Sequence, residues 1–197
     1  MFQTIMVVAI TGITVPALEP AILLSVGPLL MLYVIFPSTL AATLAADAFA
    51  GERERRTIET VMATPLSEVP MFVGKAATAV LFAVVVAGIA LTCAILTAGM
   101  TGLSVGIIPA GAIASVLAGA LAGSVLTAAV AIGISIKIPV ARSAQQIASV
   151  VTFIVGGLTV WSFARFDIPL TWTTVLETDL VLLLLGIAGL VISMMLF

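Results

Sequence analysis

From Ala76 to Ile136 no residue carries a charge. A stretch that long cannot fold as a soluble surface, and it is too long for one helix. About 20 apolar residues cross a bilayer, so the run must cross more than once. It divides at G-M-T-G-L-S-V-G-I-I-P, Gly99 to Pro109, where glycine and proline cluster. This predicts crossings over roughly 73–98 and 108–136. Hydrophobic residues make up 62% of the chain and charged residues 8%, against about 25% charged in ordinary soluble domains. That excludes a water-soluble fold of this size.

The remaining crossings follow from the same argument. Pro20 to Ala46 is uncharged and long enough for one. Pro28 and Pro37 predict kinks there, which neighbouring helices tolerate. A polar knuckle, K-I-P-V-A-R, spans Lys137 to Arg142, and a crossing over about Ser143 to Ala164 follows it. Arg165 to Asp179 reads as a loop or a short surface helix, and the last crossing as Leu180 to Phe197. Two readings of Met1 to Pro20 stand. It is uncharged and near the lower length limit for a crossing, yet its β-branched residues, Gly12 and Pro16 also fit an extended or interfacial segment. The expected fold is one all-α, polytopic membrane domain, residues 1–197, with five transmembrane helices, or six if the first segment crosses.

Most of the charge is in one place. Asp47 to Lys75 holds nine of the sixteen charged residues. Arg53, Arg55, Arg56 and Lys75, with Lys137 and Arg142 two crossings later, put these loops and the C-terminus in the cytoplasm by the positive-inside rule. Trp161, Phe163, Phe166 and Trp172 then mark the outer interface. Ile58, Val61, Met62 and Leu66 recur at helical spacing and predict a short amphipathic helix on the membrane surface, ended by Pro65. The next helix starts near Ser67, with Pro70 in its first turn. A solvated loop that only sets topology is the simpler alternative.

Other chemistry is scarce. There is no histidine and one cysteine, Cys93, so neither a disulfide framework nor a metal site is expected. A net charge of −2 gives no basis for nucleic-acid binding. Gly74-Lys75 lacks the glycine and hydroxyl residue of a phosphate-binding loop, so no nucleotide site is expected in this chain. The expected crossings contain no ionisable residue, which argues against ion coupling and intramembrane catalysis. Gln145-Gln146 either lines a path or, the preferred reading, hydrogen-bonds a neighbouring helix. Gly111, Ser115, Gly119, Gly123, Thr127, Ala131 and Ser135 recur every four residues, a pattern for close helix packing.

The segment Gly51-Glu52-Arg53-Glu54-Arg55-Arg56-Thr57-Ile58-Glu59-Thr60-Val61-Met62-Ala63-Thr64-Pro65, followed by Gly74-Lys75, resembles the signature of type-2 ABC exporter permeases, G-E-R-E-x-G-T-[LI]-E-x-L-L-x-[TS]-P with a later G-K. Arg56 departs where the family has glycine, and Val61 and Met62 replace leucines. The resemblance covers about 25 residues. It implies a permease subunit paired with a second copy, as a homodimer, or with a paralogue. A cytoplasmic ABC ATPase subunit would dock on each and carry the ATP-Mg that this chain does not bind. Residues 47–72 would form the cytoplasmic coupling segment, with Glu52, Arg53, Glu54, Arg55, Arg56, Thr57, Ile58, Glu59, Met62 and Pro65 as its ATPase-coupling residues. Family members often carry a first crossing and an external domain where this chain has a stub of some 18 residues. The competing expectation is a non-transporting membrane scaffold or assembly factor that recruits a soluble partner.

Overall fold

The computed structural model describes residues 2–19, 23–24, 35–51, 68–102, 108–138, 140–165 and 171–196. No strand occurs among them. Their helices are α1 (Phe2–Leu18), α2 (Phe36–Ala46, continued by a π-helical turn Asp47–Gly51), α3 (Glu68–Met100), α4 (Ala110–Lys137), α5 (Ala141–Arg165) and α6 (Trp172–Leu196). Within α3, α4 and α6, the stretches Val69–Met100, Ala110–Ile136 and Trp172–Leu196 are long and apolar enough to cross a membrane. The expected crossing over 20–46 falls largely outside the described residues.

Small residues pack inward and large ones point outward. Along α3 the buried positions include Phe72, Ala76, Ala79, Ala83, Val86, Ala90, Ala94 and Ala98, a repeat of three and four, widened to a broader face by Val80, Ala87 and Leu91. The opposite face carries Leu81, Val85, Ile89 and Leu96, each at least half exposed. In α6, Leu180, Leu184 and Ile192 are likewise exposed. Water would penalise such a surface, whereas lipid tails cover it at no cost and small residues let the backbones meet. At 33 residues α3 is about 50 Å long, well beyond the ~30 Å hydrocarbon thickness. Its charged first turns, Glu68 to Lys75, therefore have room to extend past the apolar layer.

α4 is the central column, with α2, α3, α5 and α6 all packed against it. α4 and α6 run parallel. A Cβ on Gly111 would lie 3.0 Å from the Trp172 side chain, and one on Gly186 would lie 2.8 Å from the backbone nitrogen of Leu126. Further along, Gly189 faces Ala129, and Ser193 Oγ donates to the Ala129 carbonyl at 3.2 Å. The buried residues of α6 are Val175, Asp179, Gly186 and Ser193; Gly186 and Ser193 meet α4 directly, and Asp179, one heptad before Gly186, shares their face of the helix.

The N-terminal segment is helical, which settles its conformation against an extended strand. Its middle, Val8–Thr14, is π-helical. Pro16 has no N–H to offer the Gly12 carbonyl one turn earlier. Thr97 Oγ1, which lies 2.8 Å from the Cys93 carbonyl of its own helix, also reaches the Gly12 carbonyl at 3.2 Å. Gly12 permits the approach, since a Cβ there would come within 2.9 Å of Cys93 Cβ.

The segment expected to be a loop or surface helix ahead of the last crossing differs from that reading. Residues 172–179 are the first two turns of α6. Thr171 and Thr174 cap its start reciprocally: Thr171 N donates to Thr174 Oγ1 (3.1 Å) and Thr174 N to Thr171 Oγ1 (3.4 Å). The polar residues that suggested a loop are therefore the cap and one face of a helix.

Gly186 and Gly157 provide a paired test of the seam. Gly186→Leu should destabilise the bundle by about 1–3 kcal/mol, the usual cost of overpacking, because it meets backbone. Gly157→Leu should cost far less, since nothing lies within 4 Å of a Cβ there. Thermal unfolding in detergent micelles reads the difference, and equal losses would contradict the seam.

Candidate functional site

The residues expected to couple to an ATPase, Glu52 to Pro65, lie outside the described residues, but both roots of their segment are described. One root is the π turn Asp47–Gly51 at the end of α2, and the other is the start of α3. The two are joined. Phe49 and Phe72, both nearly buried, meet edge to face with centroids 5.3 Å apart and planes at 63°. Lys75 Nζ lies 5.5 Å from the centroid of Phe49, within cation–π range. Ala42, Ala45, Ala46 and Ala50 of the first root, and Ala76 and Ala79 of the second, complete one apolar cluster with Ala128, Ala131 and Ile132 of α4 and Ala144 and Ala148 of α5. Alanine at these positions lets four helices converge beneath a single aromatic pair.

Gly51 closes the first root tightly. A Cβ there would sit 2.7 Å from Asp47 Oδ1, so the carboxylate folds over the glycine that opens the motif. Gly74 is exposed on α3 with open space around it. The two ends of the sequence motif, Gly51 and Gly74-Lys75, thus stand on the two joined roots.

A polar bridge lies a turn deeper. Gln145 Nε2 of α5 donates to Thr43 Oγ1 of α2 at 3.1 Å. That hydroxyl is 2.8 Å from the Thr39 carbonyl and 3.3 Å from Gln3 Oε1 of α1. Gln145 therefore bonds a neighbouring helix, while Gln146 is exposed.

The four-residue stripe of α4 is inward-facing: Gly111 is half-buried, and Ser115, Gly119, Gly123, Thr127, Ala131 and Ser135 are buried. It does not serve one partner. Each step of four advances about 40° around a helix, so the row winds across faces. Gly111 meets α6, whereas Thr127 Oγ1 donates to the Ser38 carbonyl of α2 at 2.9 Å. Both partners belong to the same chain.

One residue escaped the sequence reading. Asp179, expected in an outer loop, is 3% exposed within α6, and its Oδ2 has no hydrogen-bond partner. The premise that no ionisable group lies within the apolar helices is corrected here. Two signals in the sequence point to it: the T-x-x-T cap at Thr171, which starts the helix early, and the heptad spacing of Asp179, Gly186 and Ser193.

Among the described residues no group of three or more His, Cys, Asp or Glu comes together to hold a metal. Compared with known proteins, the chain matches no protein-family model, no curated protein and no solved structure.

The joined roots predict a measurable coupling. In a double-mutant cycle on Phe49→Ala and Phe72→Ala, the interaction energy should be about 0.5–1.5 kcal/mol. Unfolding of the four proteins in detergent measures it, and strictly additive losses would show that the ring contact is not made.

Proposed function

We propose that the chain is a membrane-spanning permease subunit of an ATP-driven exporter, crossing the membrane five or six times with residues 47–72 and the C-terminus in the cytoplasm. The observation that carries this reading is the motif from Gly51 to Pro65 followed by Gly74-Lys75. Glu52 to Pro65 would dock into a separate ATPase subunit, and a second permease copy would complete the pathway in the surrounding lipid.

The geometry of the roots supports a coupling role. A docking segment can drive its neighbours only if its ends are firmly attached to them. Phe49 against Phe72, within a cluster that also takes in α4 and α5, makes the ends of α2 and α3 one packed unit. Closure of the ATPases on ATP would push the segment, and the push would reach α4 and α5 through that unit. The alternating charges of Glu52 to Arg56 suit recognition of a patterned protein surface, because charge complementarity fixes partner and register.

Reversing Arg53, Arg55 and Arg56 to glutamate should abolish co-purification of the ATPase from native membranes, with membrane insertion unchanged. Affinity purification with mass-spectrometric identification of bound subunits reads this. An ATPase retained at normal stoichiometry, or no ATPase bound to the native chain, would defeat the proposal.

A further inference from the structure

The chain has no histidine, so it lacks the side chain that ordinarily responds to pH near neutrality. Its described helices nevertheless hold one acid in a position where charge matters. Asp179 is 3% exposed, on the heptad seam that joins α6 to α4, with Oδ2 unpartnered. It stands about 10 Å along the axis from Trp172. Since Trp172 faces Gly111 and Gly186 faces Val125 and Leu126 in a parallel pair, Asp179 is level with Ala118, midway between the two close approaches.

An isolated carboxylate in such a place is costly, and an intramembrane acid ordinarily pairs or marks a pathway. Among the described residues no countercharge faces it. The one ionisable residue of α4, Lys137, is at the far end of that helix, some 28 Å along the axis from Ala118. Glu177, the other acid of α6, is exposed on a different face. Arg165 and Asp167 precede the helix, and their side chains lie outside the described residues.

We propose that Asp179 is a proton-binding site built into the α4–α6 seam, taking up and releasing a proton while buried. The occupant is a proton, the one ligand a single buried carboxyl can hold without further donors. At Gly111 and at Gly186 the two helices approach closer than an added methyl would allow, which closes the seam on both sides. A metal ion needs several oxygen ligands, and no group of three or more His, Cys, Asp or Glu gathers among the described residues. The step moves one proton from hydronium to a carboxylate oxygen: one O–H bond of hydronium breaks and leaves water, one O–H bond forms on the carboxyl, the two charges cancel and nothing is oxidised. Ionised, the group must draw in water or a cation and so part α6 from α4. Neutral, it leaves the seam closed. Proton binding is thereby linked to packing at the end of the bundle opposite the polar handle. This site does not depend on the exporter reading: loss of ATPase binding would leave it untouched, and the converse holds.

The test is labelling of the native full chain in lipid vesicles with dicyclohexylcarbodiimide, which dissolves in the bilayer and adds to a neutral carboxyl to give a stable N-acylurea. Mass spectrometry should locate the adduct on Asp179 and not on Glu177. From acid to alkaline pH the rate should fall as the carboxyl ionises, roughly tenfold per pH unit above the midpoint. pH-difference infrared spectra should show a protonated-carboxyl band that Asp179→Asn removes. If that variant fails to fold, Asp179→Glu should retain the band at a shifted frequency. No adduct at Asp179, a rate constant across that range, or a carboxyl band indifferent to both substitutions would overturn the proposal.

Discussion

Close backbone contact through small side chains is the constraint on which the rest of this structure depends. In lipid, a large aliphatic side chain gains nothing by turning inward, because hydrocarbon surrounds it either way. What remains is dispersion between well-fitted surfaces and the satisfaction of polar groups. The bundle therefore has alanine, glycine, serine and threonine prominent along its seams, joined by larger residues such as Leu91, Val116 and Ile132, while many leucines, valines and isoleucines face outward. Buried hydroxyls are kept harmless by bonding to carbonyls of their own helix, as Thr11 does to Val7, Ser124 to Ala120 and Ser135 to Ala131. Thr127 and Thr97 lie within bonding distance of an own-helix carbonyl, Ser124 and Cys93, and also of one on a neighbouring helix, Ser38 and Gly12, and these tie helices that would otherwise be held by contact alone.

Much of this architecture was legible in the sequence, because helix ends are written in residues with strong local effects. Glycine and proline between Gly99 and Pro109 mark the gap between α3, ending at Met100, and α4, starting at Ala110. The knuckle from Lys137 to Arg142 marks the next one, with α5 starting at Ala141. The start of α6 was not legible by the same route. Glu177, Thr178 and Asp179 look like a water-facing turn when counted for polarity, yet Glu177 is exposed while Asp179 is buried, and polarity alone does not distinguish two faces of one helix. The N-terminal segment was ambiguous because Gly12 and Pro16 ordinarily disfavour a helix. Here both belong to one arrangement in which Gly12 lets α3 approach and Thr97 satisfies the carbonyl that Pro16 leaves open.

The candidate site was legible in a different sense. The motif identifies residues by type and order, and nothing in that order tells how its ends are anchored. The anchor is tertiary: Phe49 and Phe72 are far apart in sequence, and their contact requires the alanines of α2, α3, α4 and α5 to bring four helices together. Equally, the spacing of four along α4 indicated close packing but not the number of partners. A row of that period rotates steadily around its helix, so the structure divides it between α6 and α2.

The two ends of the molecule are packed against the same column, α4. Val125 belongs to the apolar cluster that contains Phe49 and Phe72, and its side chain also meets Gly186 of α6. A displacement of the roots of α2 and α3 must therefore be felt at the α4–α6 seam, on which Asp179 lies further along. Beside Val125 the packing is incomplete. Phe72, Val73, Ala76, Ala77 and Val80 of α3 and Leu190, Val191 and Met194 of α6 face each other across a groove of about 260 Å³ with only apolar residues in its walls. A close-packed junction would resist relative movement, since interiors at full density transmit strain without yielding. An apolar groove at this point gives α3 and α6 freedom to shift against each other, with lipid or a flexible methionine filling the space at little cost. The rigid contacts, then, are at the aromatic pair and along the parallel seam, and the compliant one lies between them.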